Sequence, residues 1–147
     1  MKLFVDKNLN LPEDKIKLAG EFCLFCAEEL PIEGGFEIYM VADRNPHGIT
    51  TTAAYEVGNN VCRVYCKNRA LVDCLRSIAH EMTHMMQDEM GLIVGNIRDA
   101  GGFHEDQANA RAGELIKRFA KSKEGRRAIY EGRKRLSFWF TFFLAYF

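Results

Sequence analysis

The chain has 147 residues, 48% of them hydrophobic and 27% charged, with 20 Lys and Arg balanced by 20 Asp and Glu. That length suits one domain whose core needs no disulfide staples, and the composition excludes a disordered or fibrous chain. The net charge of zero means that global electrostatics favour neither nucleic acid nor membrane as a partner.

The opening residues, MKLFVDKNLNLPEDK, hold no long apolar run and no cleavage pattern, so no secretory signal is expected. Residues 12–30 predict a helix. Pro12 suits its first turn, Glu13 and Asp14 suit its positive end, and Ile16, Ala19, Cys23, Cys26 and Leu30 form one apolar stripe. FEIYMVAD, residues 36–43, is rich in β-formers and precedes the turn signal RNPHG, in which His47 reads as a turn residue. TTAAYEV and VCRVYC flank Gly58-Asn59-Asn60 and predict a hairpin. A long helix is expected from about residue 69 to 90, stopped by Gly91. After a glycine-containing loop a second helix should run from near His104 to about Ala120, and the charged 121–135 segment should also be helical. The order predicts a single α+β domain over 1–147, with a small, mostly antiparallel sheet packed against the helices.

Five cysteines is an odd number, and none lies in a loop-rich disulfide context, so a reducing, cytoplasmic location is expected. Cys23-x-x-Cys26 and Cys62-x-x-x-Cys66 resemble zinc-ligand spacings, but the first pair lies within an apolar helical stripe. Cys62, Val64 and Cys66 share one strand face, where thiols behave as small hydrophobes. Residues 114–135 carry nine basic and three acidic side chains, so +6 there is offset by −6 elsewhere. A solvated helix face is the plain reading, and a surface for nucleic acid or an acidic partner is the alternative. The apolar ending LSFWFTFFLAYF, residues 136–147, is too short to span a bilayer, which needs about 20 residues. It suits folding back on the sheet, an oligomer contact or a membrane interface.

The informative stretch is SIAHEMTHMMQDEMG, residues 77–91. Leu71, Leu75, Ile78, Met82 and Met85 recur at helical spacing and face a core, while His80 and His84 lie on a different face. Four residues apart, the two imidazoles stack one turn above the other and can converge on one ion. Glu81 then reaches a metal-activated water rather than the metal itself. In GGFHEDQANARAGELIKRFA, residues 101–120, helical spacing puts Glu105, Ala108, Asn109 and Ala112 on one face. The alanines permit close helix approach, Glu105 offers a third ligand, and Asn109 can accept a hydrogen bond from a ligand histidine. Asp88 shares the His84 face, where a carboxylate more often orients or solvates than ligates.

His80-Glu81-x-x-His84 followed by Glu105-x-x-Ala108-Asn109 resembles the gluzincin branch of the zincin metallopeptidases, in which a glutamate on a following helix is the third ligand. HEMTHMMQDEMG, with Gln87 and Gly91, is similar to small phage-encoded and SprT-like metallopeptidase domains, and the ExxAN run is similar to ImmA/IrrE-type peptidases. The resemblance covers about residues 60–120. The glycine and third histidine of metzincins are missing, since position 90 is Met90. SprT-like domains use a histidine as third ligand, which leaves His104 as the alternative to Glu105.

The resemblance implies one zinc per chain and hydrolysis of a peptide or protein substrate, with Glu81 as general base. It implies a second oxyanion donor, which the sequence does not identify and for which Tyr130 and His104 are only candidates, and a sheet edge beside the site, with VCRVYC or its neighbour lining the cleft. The rival expectation is a zincin-fold binding or regulatory module that holds nucleic acid or a protein on its basic face. A third is a metal that serves structure alone.

Overall fold

The structure, a computed structural model, describes residues 1–47, 49, 51–93 and 102–131. The chain enters a sheet at once: Lys2–Val5 (β1) pairs with Glu37–Val41 (β2), and between them runs the helix Glu13–Glu29 (α1). Ala53–Glu56 (β3) and Val61–Tyr65 (β4) follow, then the helices Leu71–Glu89 (α2) and Phe103–Ser122 (α3) and a 3-10 helix at Arg126–Tyr130.

The α+β class holds, but the strand pairing corrects the expected mostly antiparallel sheet. The order is β1-β2-β4-β3, and only β3 with β4 runs antiparallel, as the hairpin around Gly58 demands. β1 with β2 and β2 with β4 are parallel. The reason is β1, which local pattern did not reveal. With α1 as its crossover it forms a β-α-β unit, and such a connection returns the chain in the same direction. β3 is left at one edge of the sheet.

Alternation sends Ile38 and Met40 of β2 and Cys62 and Val64 of β4 into the core, where they meet Ala19, Phe22, Cys23 and Cys26 of α1. The apolar stripe Leu71, Leu75, Ile78, Met82 and Met85 of α2 is fully or nearly fully buried, as its spacing predicts. α2 packs against α1, α3, β3 and β4, so it has little free surface and even its polar Thr83, His84 and Gln87 are buried. Ala108 and Ala112 on α3 are also buried, which allows the two long helices to approach closely. Phe119 of α3 packs edge-on against Phe22 and Phe25 of α1, with ring centroids 5.1 and 5.5 Å away, and ties the third helix to the first.

α2 stops where glycine predicts. Gly91 is left-handed at φ 69°, its N–H donates to Asp88 O at 2.9 Å, and Leu92 N–H donates to Gln87 O at 2.9 Å. This paired closure satisfies carbonyls that the helix end would leave open. The 121–135 segment does not continue as one helix. α3 ends at Ser122, Lys123 is extended, and Gly125 turns left-handed at φ 89° before the short 3-10 helix. Two cations of the basic 114–135 stretch bind back to α1: Arg118 of α3 to Glu29 at 2.9 Å and Arg126 to Glu21 at 3.6 Å. Arg133, Lys134, Arg135 and the apolar ending 136–147 lie outside the described residues. No helix among the described residues is long and apolar enough to cross a membrane.

Candidate metal centre

α2 and α3 bring three ligand atoms together. Glu105, in the first turn of α3, sets one carboxylate oxygen 2.8 Å from His84 Nε2 and the other 3.1 Å from His80 Nε2. The two imidazole nitrogens are 3.2 Å apart. Bonds of about 2.0–2.1 Å to a tetrahedral ion would place ligand atoms roughly 3.3 Å apart. The separations between the two imidazoles and between each imidazole and its nearer carboxylate oxygen are of that size or slightly shorter. His80, His84 and Glu105 can hold a metal ion, and among the described residues they are the one group of three such side chains that can.

His104 does not join them. Neighbouring helical residues point about 100° apart, so Glu105 and His104 cannot both face α2 in the same way. His104 contributes its backbone carbonyl to Gln87 Nε2 at 3.1 Å, its ring packs beside Phe103, and its Nδ1 is buried without a hydrogen-bond partner among the described residues. Asp88 also turns elsewhere: its carboxylate accepts from the Tyr55 hydroxyl and from Gly58 N–H, anchoring the hairpin to the end of α2.

The orientation of His84 depends on Gln87, which the sequence presented only as part of a resemblance. Gln87 Nε2 donates to His104 O and to Gln107 Oε1, the latter at 2.8 Å, which fixes the direction of the amide. Its Oε1 is then the acceptor 2.8 Å from His84 Nδ1. With the proton on Nδ1, the lone pair of Nε2 faces the cluster, as ligation requires. The spacing carried a signal, since Gln87 lies three residues after His84 on the same helical side. Asn109 lines the same cleft as His80, one turn beyond Glu105 on α3. Gln87→Leu should weaken metal binding by about 10- to 100-fold, measured by competition with a chromophoric chelator.

Burial pulls His80 below the usual imidazole range, and the neighbouring His84 adds to the effect, so the ring favours its neutral, ligating form. Glu81 lies on the next face of α2, 9% exposed, at the wall of a cleft of about 390 Å³ that also touches His80 and Asn109. Burial, with Glu105's negative charge adding to it, pushes the Glu81 carboxyl up from 4.5 to about 8. In the metal-free protein this has a definite sign. The unfolded chain gives up the proton at lower pH, so the fold loses stability as pH rises from about 4.5, and the loss is complete above about 8. Metal-free Glu81→Gln protein should therefore match the wild type near pH 4 and exceed it at pH 8.5, by on the order of 3–5 kcal/mol in urea denaturation.

No family model matches this chain, and no curated protein or solved structure matches it either.

The start of β3 and the residues before it, Thr51, Thr52 and Ala53, form the wall of the cleft that faces α2. The edge strand thus lies beside the cluster, and VCRVYC itself forms the next strand inward. Neither Tyr130, exposed on the 3-10 helix after α3, nor His104 lines the cleft. The five cysteines are free and buried, and His47 lies in a 3-10 turn, neither cysteine nor His47 belonging to the cluster. Burial pushes the Cys23 thiol up to about 12 and raises Cys26 and Cys62 as well, which opposes the thiolate form that a zinc site would need.

Proposed function

We propose that this protein is a zinc-dependent peptidase that hydrolyses peptide bonds, with His80, His84 and Glu105 as metal ligands and Glu81 as general base. The observation that carries this reading is the convergence of two imidazole Nε2 atoms and one carboxylate from two packed helices, beside a second, buried carboxylate in an open cleft. Two imidazoles and a carboxylate match the three-ligand donor set of catalytic zinc, which leaves a position for water. The HExxH and ExxAN motifs and their resemblance to gluzincins support the same assignment. When bound, zinc supplies a Lewis acid that acidifies water and polarises the scissile carbonyl.

The chain's own residues do the remaining work. Glu81 takes a proton from the attacking water and delivers it to the departing amine. Among the described residues no hydrogen bond or ion pair engages its carboxylate, so it is free to carry that proton. Gln87 holds His84 in its ligating tautomer, and Asn109 stands in the cleft beside His80. The cleft between α2 and the start of β3 lies next to Glu81 and is where an extended peptide substrate would bind. In the alternative of a nucleic-acid or protein-binding module, Arg118 and Arg126 are paired with acids of α1, and the exposed Lys117, Lys121, Lys123 and Arg127 would form the basic surface.

The test is hydrolysis of an unfolded protein substrate, followed by mass spectrometry. Activity should disappear with excess chelator and return with zinc. Cleavage that is indifferent to chelation would contradict the reading.

A further inference from the structure

The cleft runs from His80 and Glu81 toward the beginning of α2, and its far part is charged. Thr51 and Thr52 form one wall, and Arg69, Asp73, Arg76 and Ser77 the other. Asp73, Arg76, Ser77 and His80 are three or four residues apart, so they lie along one side of α2 in line with the ligand histidine. Arg76 pairs with Asp73 at 2.9 Å, and half of each side chain remains exposed. Arg69 differs, because no carboxylate among the described residues lies within ion-pair distance of it. Its guanidinium is held only by uncharged acceptors: Tyr65 O at 2.6 Å, Asp73 O at 3.1 Å and Ser77 Oγ at 2.9 Å. These use three of its five N–H donors and leave two. The wall therefore holds two cations and one anion, an excess of positive charge in a chain whose net charge is zero.

A fixed guanidinium without a counter-ion is suited to a carboxylate, and its spare donors, Nε–H and one Nη1–H, each offer a single charge-assisted hydrogen bond. Four to seven helical residues separate Arg76 and Asp73 from His80, or about 6–10 Å along α2. An extended peptide advances about 3.3 Å per residue, so this distance corresponds to two or three residues from the bond being cut. We propose that Arg69 and Arg76 form a specificity subsite for a substrate carboxylate placed two or three residues from the scissile bond. The inference rests on the peptidase reading and names the substrate class it would favour: peptides with an acidic side chain, or a free chain terminus, at that distance.

The test uses one peptide sequence with Glu or Gln at each position two and three residues either side of the cut, each made with a free or amidated C-terminus. At one of these positions the wild type should favour Glu over Gln by about 10- to 100-fold in kcat/KM, the difference residing mainly in KM. A preference that vanishes on amidation assigns the carboxylate to the chain end, and one that survives assigns it to the side chain. Arg76→Gln should reduce the Glu/Gln ratio and Arg76→Glu should invert it. Arg69→Lys, which keeps the charge but loses the guanidinium donors that fix its position against Tyr65, Asp73 and Ser77, should also reduce it. Equal cleavage of Glu and Gln peptides by the wild type, or a ratio unmoved in all three variants, would overturn the proposal. Fluorescence binding of the same peptides to zinc-loaded Glu81→Gln protein separates the two levels. A carboxylate preference in binding without any wild-type cleavage refutes the peptidase reading alone, whereas cleavage without a preference refutes the subsite alone.

Discussion

Glu81→Gln should lower peptide hydrolysis by at least about 10²- to 10⁴-fold and leave the bound metal in place. The magnitude is that of a general acid–base group removed from a proton transfer. Gln has nearly the same shape, so the packing of α2 against β3, β4 and α3 should survive. What it lacks is a site for the proton. The metal should stay because Glu81 is not among the three clustered ligand atoms, which come from His80, His84 and Glu105. The check is metal analysis and kinetics on the same preparation. Loss of metal together with activity would make Glu81 a ligand or a structural residue, and retained activity would remove it from the mechanism.

The second large effect is expected at the ligands. Glu105→Gln and His84→Ala each remove one of three ligand atoms, so zinc affinity should fall by more than the ~10–100-fold caused by losing a supporting hydrogen bond. Thermal stability reports this independently. At free zinc about 100 times the dissociation constant, the wild type should gain ~2.7 kcal/mol, a rise in Tm on the order of 5–10 °C. Neither variant should show that rise at the same zinc concentration. His104→Ala should keep it, because the His104 ring lies outside the cluster and Gln87 uses only its backbone carbonyl. A zinc-induced shift lost in His104→Ala but kept in Glu105→Gln would reverse the choice of third ligand.

The helices were the most legible part of the fold. The apolar stripe of α2, its stop at Gly91, and the small residues Ala108 and Ala112 on α3 are all patterns with a local physical cause. The two half-sites could be paired from sequence because both lie on helices, where spacing fixes the face. β1 was not legible in the same way: four residues, half exposed in alternation, become a strand only through pairing with β2, a contact some 35 residues distant in sequence. The parallel direction of that pairing has no local signature either. The charged stretch after Ala120 looks helical by composition, yet Gly125 adopts a left-handed conformation that ends the pattern. Gln87 escaped notice as the partner of His84 because its role depends on Gln107 and the His104 carbonyl, both on the other helix. Arg69 likewise lies outside any motif, and its lack of a carboxylate partner is visible only once α2 and the start of β3 face one another.

X-ray absorption at the zinc edge, on protein reconstituted with zinc and freed of excess metal, tests the account most directly, because the chain also holds five free thiols that could compete for the ion. The account predicts one zinc per chain with a shell of nitrogen and oxygen at about 2.0–2.1 Å, including the outer-ring scattering of two imidazoles. Sulfur scattering at about 2.3 Å would place the metal on the cysteines instead. That result, or failure to retain zinc at all, would contradict the centre built from His80, His84 and Glu105.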